Sequence, residues 1–497
     1  MRTLPLRSFR LVCKPEQAPL VESLLQAQGF AFEPEPFFPL ARRLTAGPLP
    51  LGSSLAAAFG YIYIQDRSSM LPPLALAPES GAAALDMCAS PGSKTGLLAQ
   101  LVGAQGFVLA NEPSANRLAT LRRNLQSLNL FNCATTSYPG EKLSLPSAPG
   151  SFFPSPADGE EAGWDRILLD PPCSGWGTAE KHPQVLRLWR GDKVKPLIGL
   201  QRRLLAEAAR LLRPGGRLVY STCTTNTEEN EAQLHFAREE LGLDFLPLGP
   251  LTGFSFADAE LPEFAGVWRV NTGEDGQGFF VALLQKPGTE RENLRPETLS
   301  DREEAPATGT EPTAALGGDS GSVSRTGGRE QGFFVRPWEK DSRYVGERHR
   351  HGRGKKEGDR RQAVEFLDRA SLAGPYLDPA LLPPGDVAVF NSVIHFLPEH
   401  SRALPKQGFV WKGFPLGRLG PGQRLSPHLR CLMPSAEALR QQGLPCLDVD
   451  DPAPVLALLA GQSLPADAPG PELGLYFRGL PLCRLVVKGR RAVLPPL

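Results

Sequence analysis

Between residues 82 and 286, short apolar runs alternate with amphipathic helical patterns, and no other feature restricts the fold so strongly. Strands separated by helices form crossovers, so the region must build a largely parallel α/β sheet. Ala82–Met87, Gly106–Ala110, Arg166–Leu169 and Arg217–Tyr220 read as strands. Ser93–Val102, Ser114–Leu128 and Leu197–Leu212 read as the intervening helices. Arg213-Pro214-Gly215-Gly216 reads as a turn, and Phe279–Leu284 as the strand that closes the sheet.

The chain has 497 residues, more than one core accommodates, so flanking units are expected. Residues 1–77 read as a small leading domain, with a helix over Glu16–Gln28 that presents Leu20, Leu24 and Leu25 on one face and stops at Gly29. Residues 78–286 hold the α/β domain, and residues 287–365 read as a disordered and then basic linker. Its first part, to about 330, is rich in Glu, Thr, Gly, Ser and Pro and lacks large apolar residues to bury. The basic run follows, from Arg343 through Lys355 and Lys356 to Arg361. It is either a solvated segment or a set of phosphate contacts. Gln277-Gly-Phe-Phe-Val281 recurs as Gln331-Gly-Phe-Phe-Val335, an echo too short to establish a repeat. Residues 366–497 form a last, β-rich domain, with strands at Val387–Phe390, Val393–Phe396, Leu473–Phe477 and Leu485–Val487.

Lys plus Arg number 54 and Asp plus Glu 53, so any nucleic-acid surface must be local rather than global. Eight cysteines are scattered without a Cys-x-x-Cys pair or zinc-like spacing. They predict a reduced, cytoplasmic chain with no disulfide framework and no metal. No apolar stretch follows Arg2 and Arg7, so no signal peptide is read, and no run is long enough to span a membrane.

Chemistry concentrates at three strand ends. Asp86-Met87-Cys88-Ala89-Ser90-Pro91-Gly92-Ser93-Lys94 follows a strand and opens a helix, the place where cofactors bind in doubly wound folds. Small residues admit a ligand close to the backbone, and the helix start offers free N–H groups. It is not a phosphate loop: Lys94 does not directly follow a glycine, and Met87 stands where the first loop glycine belongs. The next strand ends in Asn111-Glu112, whose carboxylate suits ribose hydroxyls. Asp170-Pro171-Pro172-Cys173 and Ser221-Thr222-Cys223-Thr224 each end a strand. If those strands pair, two thiols meet at one pocket mouth beside the cofactor loop, an arrangement that packing does not call for.

Together these motifs resemble the Nop/Sun family of RNA cytosine-5 methyltransferases. The resemblance rests on Gly60–Met70, on Cys88–Lys94, on Asp170-Pro-Pro-Cys-Ser-Gly-Trp-Gly177 and on Ser221-Thr-Cys-Thr224. It implies a Rossmann-like core that uses S-adenosylmethionine, held by Cys88, Ala89, Ser90, Pro91, Gly92, Ser93, Lys94, Glu112 and Asp170. It further implies that Cys223 attacks carbon 6 of cytosine, that Cys173 assists product release, and that Asp170 bonds the protonated N3 edge of the ring. Phe409-Val-Trp-Lys-Gly413 and the ending Leu473–Arg491 are similar to the PUA-like RNA-binding tail of the bacterial RsmF-type branch. That similarity implies 16S ribosomal RNA, free or in the 30S particle, as substrate for a monomeric enzyme.

Tyr138-Pro139-Gly140 departs from the family's Phe-Asp-Gly, which removes one expected cofactor contact, and the stretch 140–163 is longer and richer in Pro, Ser and Gly. Three other readings stand beside the main one. They are a transfer-RNA cytosine methyltransferase, a ribosome-assembly factor that binds RNA without turnover, and a DNA enzyme in which the Pro-Cys thiol attacks.

Overall fold

The structure, a computed structural model, describes residues 7–143, 145, 163–180, 182–188, 191–271, 273, 276–288, 365–404, 410–419, 423–468 and 470–496. The expected linker beyond residue 288, the basic run, the second Gln-Gly-Phe-Phe-Val and most of the 140–163 stretch lie outside the described residues.

The leading region is an antiparallel sheet of β1 (Arg7–Leu11), β2 (Ala31–Pro34), β3 (Ala41–Ala46) and β4 (Ile62–Ile64), in the order β2-β3-β1-β4. Helix α1 (Ala18–Ala27) buries Val21, Leu24 and Leu25 against it. The helix begins two residues later than Glu16, because Pro15–Gln17 form a 3-10 turn and Pro19 occupies the first helical turn, where no N–H bond is lost. Two short helices follow, α2 (Leu55–Ala58) and α3 (Leu71–Leu76). Ser54 caps α2 by accepting a hydrogen bond from the Ala57 N–H.

The central region is Rossmann-like. In chain order it contains β5 (Ala83–Asp86), α4 (Ser93–Leu101), β6 (Phe107–Asn111), α5 (Ala115–Ser127), β7 (Cys133–Thr136) and β8 (Trp164–Leu169). It continues with α6 (Val185–Leu188), α7 (Lys195–Leu211), β9 (Leu212–Thr222), α8 (Glu231–Glu239), β10 (Asp244–Leu246), β11 (Trp268–Val270) and β12 (Phe279–Gln285). The sheet runs β10-β12-β9-β8-β5-β6-β7, with β5 through β9 mutually parallel and β12 antiparallel to β9. Strand order reverses at β5, whose neighbours are β6 and β8, so the crevice for a ligand opens at the carboxyl ends of these strands.

Arg213–Gly216 is not a free turn between α7 and a strand. These residues lie inside β9, which pairs Leu212 with Trp164 and resumes with Arg217 opposite Arg166. The excursion turns at Gly215, with φ of 74°, a conformation that favours glycine. Its polar groups are taken up by β12's end: Gly215 N–H donates to the Lys286 carbonyl at 2.8 Å, and Lys286 N–H donates back to the Gly216 carbonyl at 3.1 Å.

The C-terminal region is β-rich. One antiparallel sheet contains β13 (Glu365–Leu367), β14 (Gly385–Phe390), β15 (Val393–Pro398), β17 (Phe414–Leu419) and β18 (Gln423–Leu425). A second contains β19 (Cys446–Val449), β20 (Leu464–Pro465), β21 (Glu472–Phe477), β22 (Leu480–Lys488) and β23 (Arg491–Val493). Between β15 and β17 in sequence, β16 (Trp411–Lys412) joins neither sheet. It pairs antiparallel with β7 and so extends the central sheet, with Trp411 opposite Thr136 and Lys412 opposite Thr135. Val410 N–H donates to the Tyr138 hydroxyl at 2.7 Å, and Thr136 Oγ1 donates to the Val410 carbonyl at 2.6 Å. The described part of Phe409–Gly413 therefore serves this junction.

The cores also cross the boundaries drawn in sequence. Phe9, Leu24 and Ile62 of the leading sheet share one apolar cluster with Val455, Leu475 and Leu482 of the last one. No helix among the described residues is long and apolar enough to cross a membrane.

Candidate active site

Because β8 and β9 pair in parallel, with Leu169 opposite Tyr220, the two cysteine loops leave the sheet side by side. Cys173 Sγ and Cys223 Sγ lie 3.3 Å apart, in hydrogen-bond contact rather than bonded. The loop after β8 is pinned against the other by Gly177, whose N–H donates to the Cys223 carbonyl at 3.0 Å while its carbonyl accepts from Gly278 N–H at 2.9 Å. A Cβ at Gly177 would collide with the carbonyl oxygens of Gly278 and Cys223, so the last glycine of the Asp170–Gly177 motif is a packing requirement.

Asp170 stands at the same mouth. Its Oδ2 pairs with Lys94 Nζ at 2.8 Å and its Oδ1 accepts from Ser221 Oγ at 3.0 Å. Lys94 Nζ also lies 5.2 Å from the centre of the Phe279 ring. Lys94 thus ties the loop after β5 to the loop after β8. Burial works against its charge, but Asp170 more than compensates and holds the ammonium pKa above its ordinary value.

Two thiols in contact share a proton, and their surroundings decide which keeps it. The hydrogen bond with Cys173 lowers the Cys223 thiol; burial and Asp170 oppose this, and the Lys94 cation assists it. The same hydrogen bond raises Cys173 far above the ordinary range, reinforced by burial and by the charges of Asp170 and Glu229. Of the two, Cys173 holds its proton more tightly and Cys223 gives its proton up more readily.

The cofactor-side residues read from the sequence converge on the switch point. Met87 N–H donates to the Leu168 carbonyl at 3.0 Å and Ala89 N–H to the Asn111 carbonyl at 2.9 Å, which fixes the Cys88–Gly92 loop between β8 and β6. Cys88 is the third thiol nearby, and burial raises its pKa well above the usual value, so it is not a competing thiolate. The Ser90 hydroxyl donates to the Arg117 carbonyl, and Arg117 donates to the Ser90 carbonyl, each at 3.0 Å. Asn124 Nδ2 donates to the Pro91 carbonyl at 2.7 Å. Gly92 has φ of 105°, and no side chain caps α4 at Ser93, leaving its first N–H groups open. Glu112 is buried at the end of β6, accepts from Ser114 N–H at 2.8 Å and pairs with Arg117 at 3.4 Å. Asn111 donates to the carbonyls of Met87 and Tyr138 at 3.1 and 3.0 Å, so the Tyr138-Pro139-Gly140 turn is fastened to the same loop.

Residues 73–285 match the family model described as 16S rRNA methyltransferase RsmB/F. The match covers the central region of the chain, from α3 to β12. It is 40% identical over 242 residues to the ribosomal RNA small subunit methyltransferase F of Escherichia coli O9:H4 (strain HS), covering 48% of this chain and 47% of that protein. It is 37% identical over 298 residues to the Shewanella amazonensis protein of the same name, covering 58% and 60%. The chain spans about half the length of the Escherichia coli relative it matches. Among solved structures it is similar to a methyltransferase homolog protein from Pyrococcus horikoshii, with a TM-score of 0.47 and 32% identity over 57% of this chain and 87% of that one.

Within this family segment the sequence motifs named the thiols, Asp170 and the loop after β5, but not the groups that hold them. Ser221 supplies a bond to Asp170, and Ser174 with Glu229 and Gln201 lies beneath both cysteine loops. The only signal for Glu229 in the sequence is a Glu-Glu-Asn-Glu run that begins five residues after Cys223 and resembles a solvated helix start.

Proposed function

We propose that this chain transfers a methyl group from S-adenosylmethionine to carbon 5 of a cytosine in RNA, the 16S RNA of the small ribosomal subunit, through a covalent adduct between Cys223 and carbon 6. The observation that carries this reading is the thiol pair at the ends of β8 and β9, one thiol lowered and one raised, beside the Lys94–Asp170 ion pair. The open N-terminus of α4, the Cys88–Lys94 loop, Glu112 and Asp170 fit the cofactor's polar groups. When bound, S-adenosylmethionine supplies an electrophilic methyl group on a sulfonium.

The residues account for the rest. Carbon 5 of cytosine is a poor nucleophile. The Cys223 thiolate adds its electron pair to carbon 6, and electron density shifts to carbon 5, which then becomes reactive. Asp170 accepts the hydrogen of the protonated N3 edge and stabilises the charged adduct. After carbon 5 has been methylated it still carries its hydrogen. That proton passes to a water molecule held by Cys173; the carbon 5–carbon 6 double bond re-forms and the bond to Cys223 breaks, restoring its thiolate. We assign residues 366–497 as a PUA-like RNA-binding module, residues 1–77 as an accessory RNA-binding unit and 78–286 as the catalytic domain.

Calorimetric titration of the purified chain with S-adenosylmethionine tests the cofactor site. Glu112→Ala is expected to weaken binding by about 1–3 kcal/mol, the value of a hydrogen bond to a charged group. An unchanged affinity removes Glu112 from the site. Bisulfite mapping of ribosomal RNA from a deletion strain tests the reaction, because a 16S cytosine that loses its protection identifies the target and an unaltered map rejects the reading.

A further inference from the structure

Beneath the two cysteine loops lies a buried carboxylate with no solvent access. Glu229 is 0% exposed, yet four donors surround it. Ser174 N–H donates to Oε1 at 2.9 Å and Gln201 Nε2 at 3.0 Å; the Ser174 hydroxyl and Asn226 Nδ2 donate to Oε2, the latter at 3.2 Å. These donors come from different places. Ser174 follows Cys173 directly, Gln201 lies on α7, and Asn226 lies three residues beyond Cys223. Gln201 Nε2 also donates to the Pro172 carbonyl at 2.9 Å, so the residues on both sides of Cys173 are held. The Ser174 hydroxyl is 2.7 Å from Thr224 Oγ1, next to Cys223. The Tyr220 hydroxyl donates to the Glu229 carbonyl at 2.7 Å, and the neighbouring Asn230 accepts from Thr222 Oγ1 at 2.6 Å and donates to the Thr224 carbonyl at 3.1 Å. The Ser174 bonds fasten one cysteine loop to the other, the Tyr220 and Thr222 bonds tie the segment after Cys223 to β9, and the Gln201 bonds tie both sides to α7.

We propose that Glu229 is a positioning residue of the thiol pair: its buried carboxylate locks the Cys173 loop onto the Cys223 loop and sets a fixed negative charge on the Cys173 side. A buried carboxylate is costly to retain without function unless fully hydrogen-bonded, and here the bonding partners are the cysteine loops themselves. Two equivalent thiols in contact have no reason to divide their proton unequally. Their surroundings differ: Lys94 favours loss of the Cys223 proton, while burial, then Asp170 and then Glu229 favour its retention on Cys173. Glu229 thereby keeps the proton on Cys173 and leaves Cys223 free to attack. This inference rests on the assignment of attack to Cys223, and it adds the residue that enforces the assignment.

The test reads the thiols directly, without RNA or methyl donor. The full chain is treated with iodoacetamide across a range of pH, and alkylation at Cys173 and Cys223 is followed by mass spectrometry of their peptides. In the unaltered chain Cys223 should react at least about tenfold faster than Cys173 at neutral pH, because one unit of pKa changes the thiolate fraction tenfold. Glu229→Gln removes the charge and turns an NH2 group toward two of the four donors; the ratio should fall to below about threefold and the two pH profiles should merge. Ser174→Ala keeps the carboxylate but removes one of its donors, and the ratio should narrow less than in Glu229→Gln. A ratio unchanged in a folded Glu229→Gln chain overturns the proposal, as does an equal loss in Ser174→Ala. If Glu229→Gln does not fold, Gln201→Leu replaces it: this leaves Glu229 in place but releases Pro172, and should narrow the ratio at least about threefold. An unchanged ratio there also overturns the proposal. Methyl transfer itself is judged separately, by the adduct experiment on Cys223 and Cys173, so failure of either reading is seen on its own.

Discussion

Cys223→Ala is expected to abolish methyl transfer and to leave no covalent complex with RNA, whereas Cys173→Ala is expected to trap one. The two outcomes differ because each thiol serves a different step. Without Cys223 nothing adds to carbon 6, carbon 5 stays unreactive, and turnover falls to background. Without Cys173, Cys223 loses the partner that lowers it, so addition becomes slower but remains possible, since Lys94 still favours the thiolate. Removal of the carbon 5 proton then lacks its assisting group. Losing a positioned acid or base costs about 10²–10⁴-fold, so elimination becomes the slow step and the adduct accumulates. A denaturing gel of each variant with labelled RNA and S-adenosylmethionine gives the answer. A trapped complex with Cys223→Ala but not with Cys173→Ala reverses the assignment and matches the alternative in which the Pro-Cys thiol attacks. Full turnover in both variants removes covalent catalysis altogether.

The parts of this molecule that could be read from sequence are those whose cause is local. β5 and β6 are largely apolar runs because a parallel sheet is buried on both faces, and Ala83–Asp86 and Phe107–Asn111 lie within a residue or so of where their composition puts them. The loop after β5 was legible because small residues beside a helix start have few other uses, and the thiols because cysteine at two strand ends is rare. What could not be read depends on distant chain. Cys133–Thr136 holds no large apolar residue, and it becomes a strand because β6 on one side and Trp411–Lys412 on the other offer it partners. Those two residues are separated from it by more of the chain than any periodicity argument can span. The Arg213–Gly216 excursion has every mark of a turn, and only the end of β12 makes it part of a strand. Glu229 looks like a surface acid until Ser174, Gln201 and Asn226 are brought around it.

Arg430 shows the same effect on stability, and its removal is expected to be among the most damaging single changes outside the active site. In sequence it is one arginine among many. In the structure it is 2% exposed, with no carboxylate among its described bonding partners. Its guanidinium instead donates to four carbonyls, those of Val12 at 3.3 Å, Gly60 at 2.7 Å, Ser127 at 3.3 Å and Leu128 at 3.2 Å, and lies 4.3 Å from the centre of the Tyr61 ring. Val12 and Gly60 belong to the leading region and Ser127 and Leu128 to the end of α5, so one side chain from the C-terminal region fastens three parts of the chain. Arg430→Ala would leave buried carbonyls without donors. Each such group costs about 1–3 kcal/mol, so losing the donor to four of them is a large loss. Arg430→Lys should recover only part of this, because an ammonium cannot span the four acceptors with the planar fork of a guanidinium. Urea unfolding followed by tryptophan fluorescence should show an earlier transition in Arg430→Ala. It should also resolve into separate steps as the C-terminal region detaches, because a shared buried contact is what makes adjoining units unfold together. A single transition at the original midpoint would mean that the apolar cluster shared by Phe9, Leu24 and Leu475 couples these regions without Arg430.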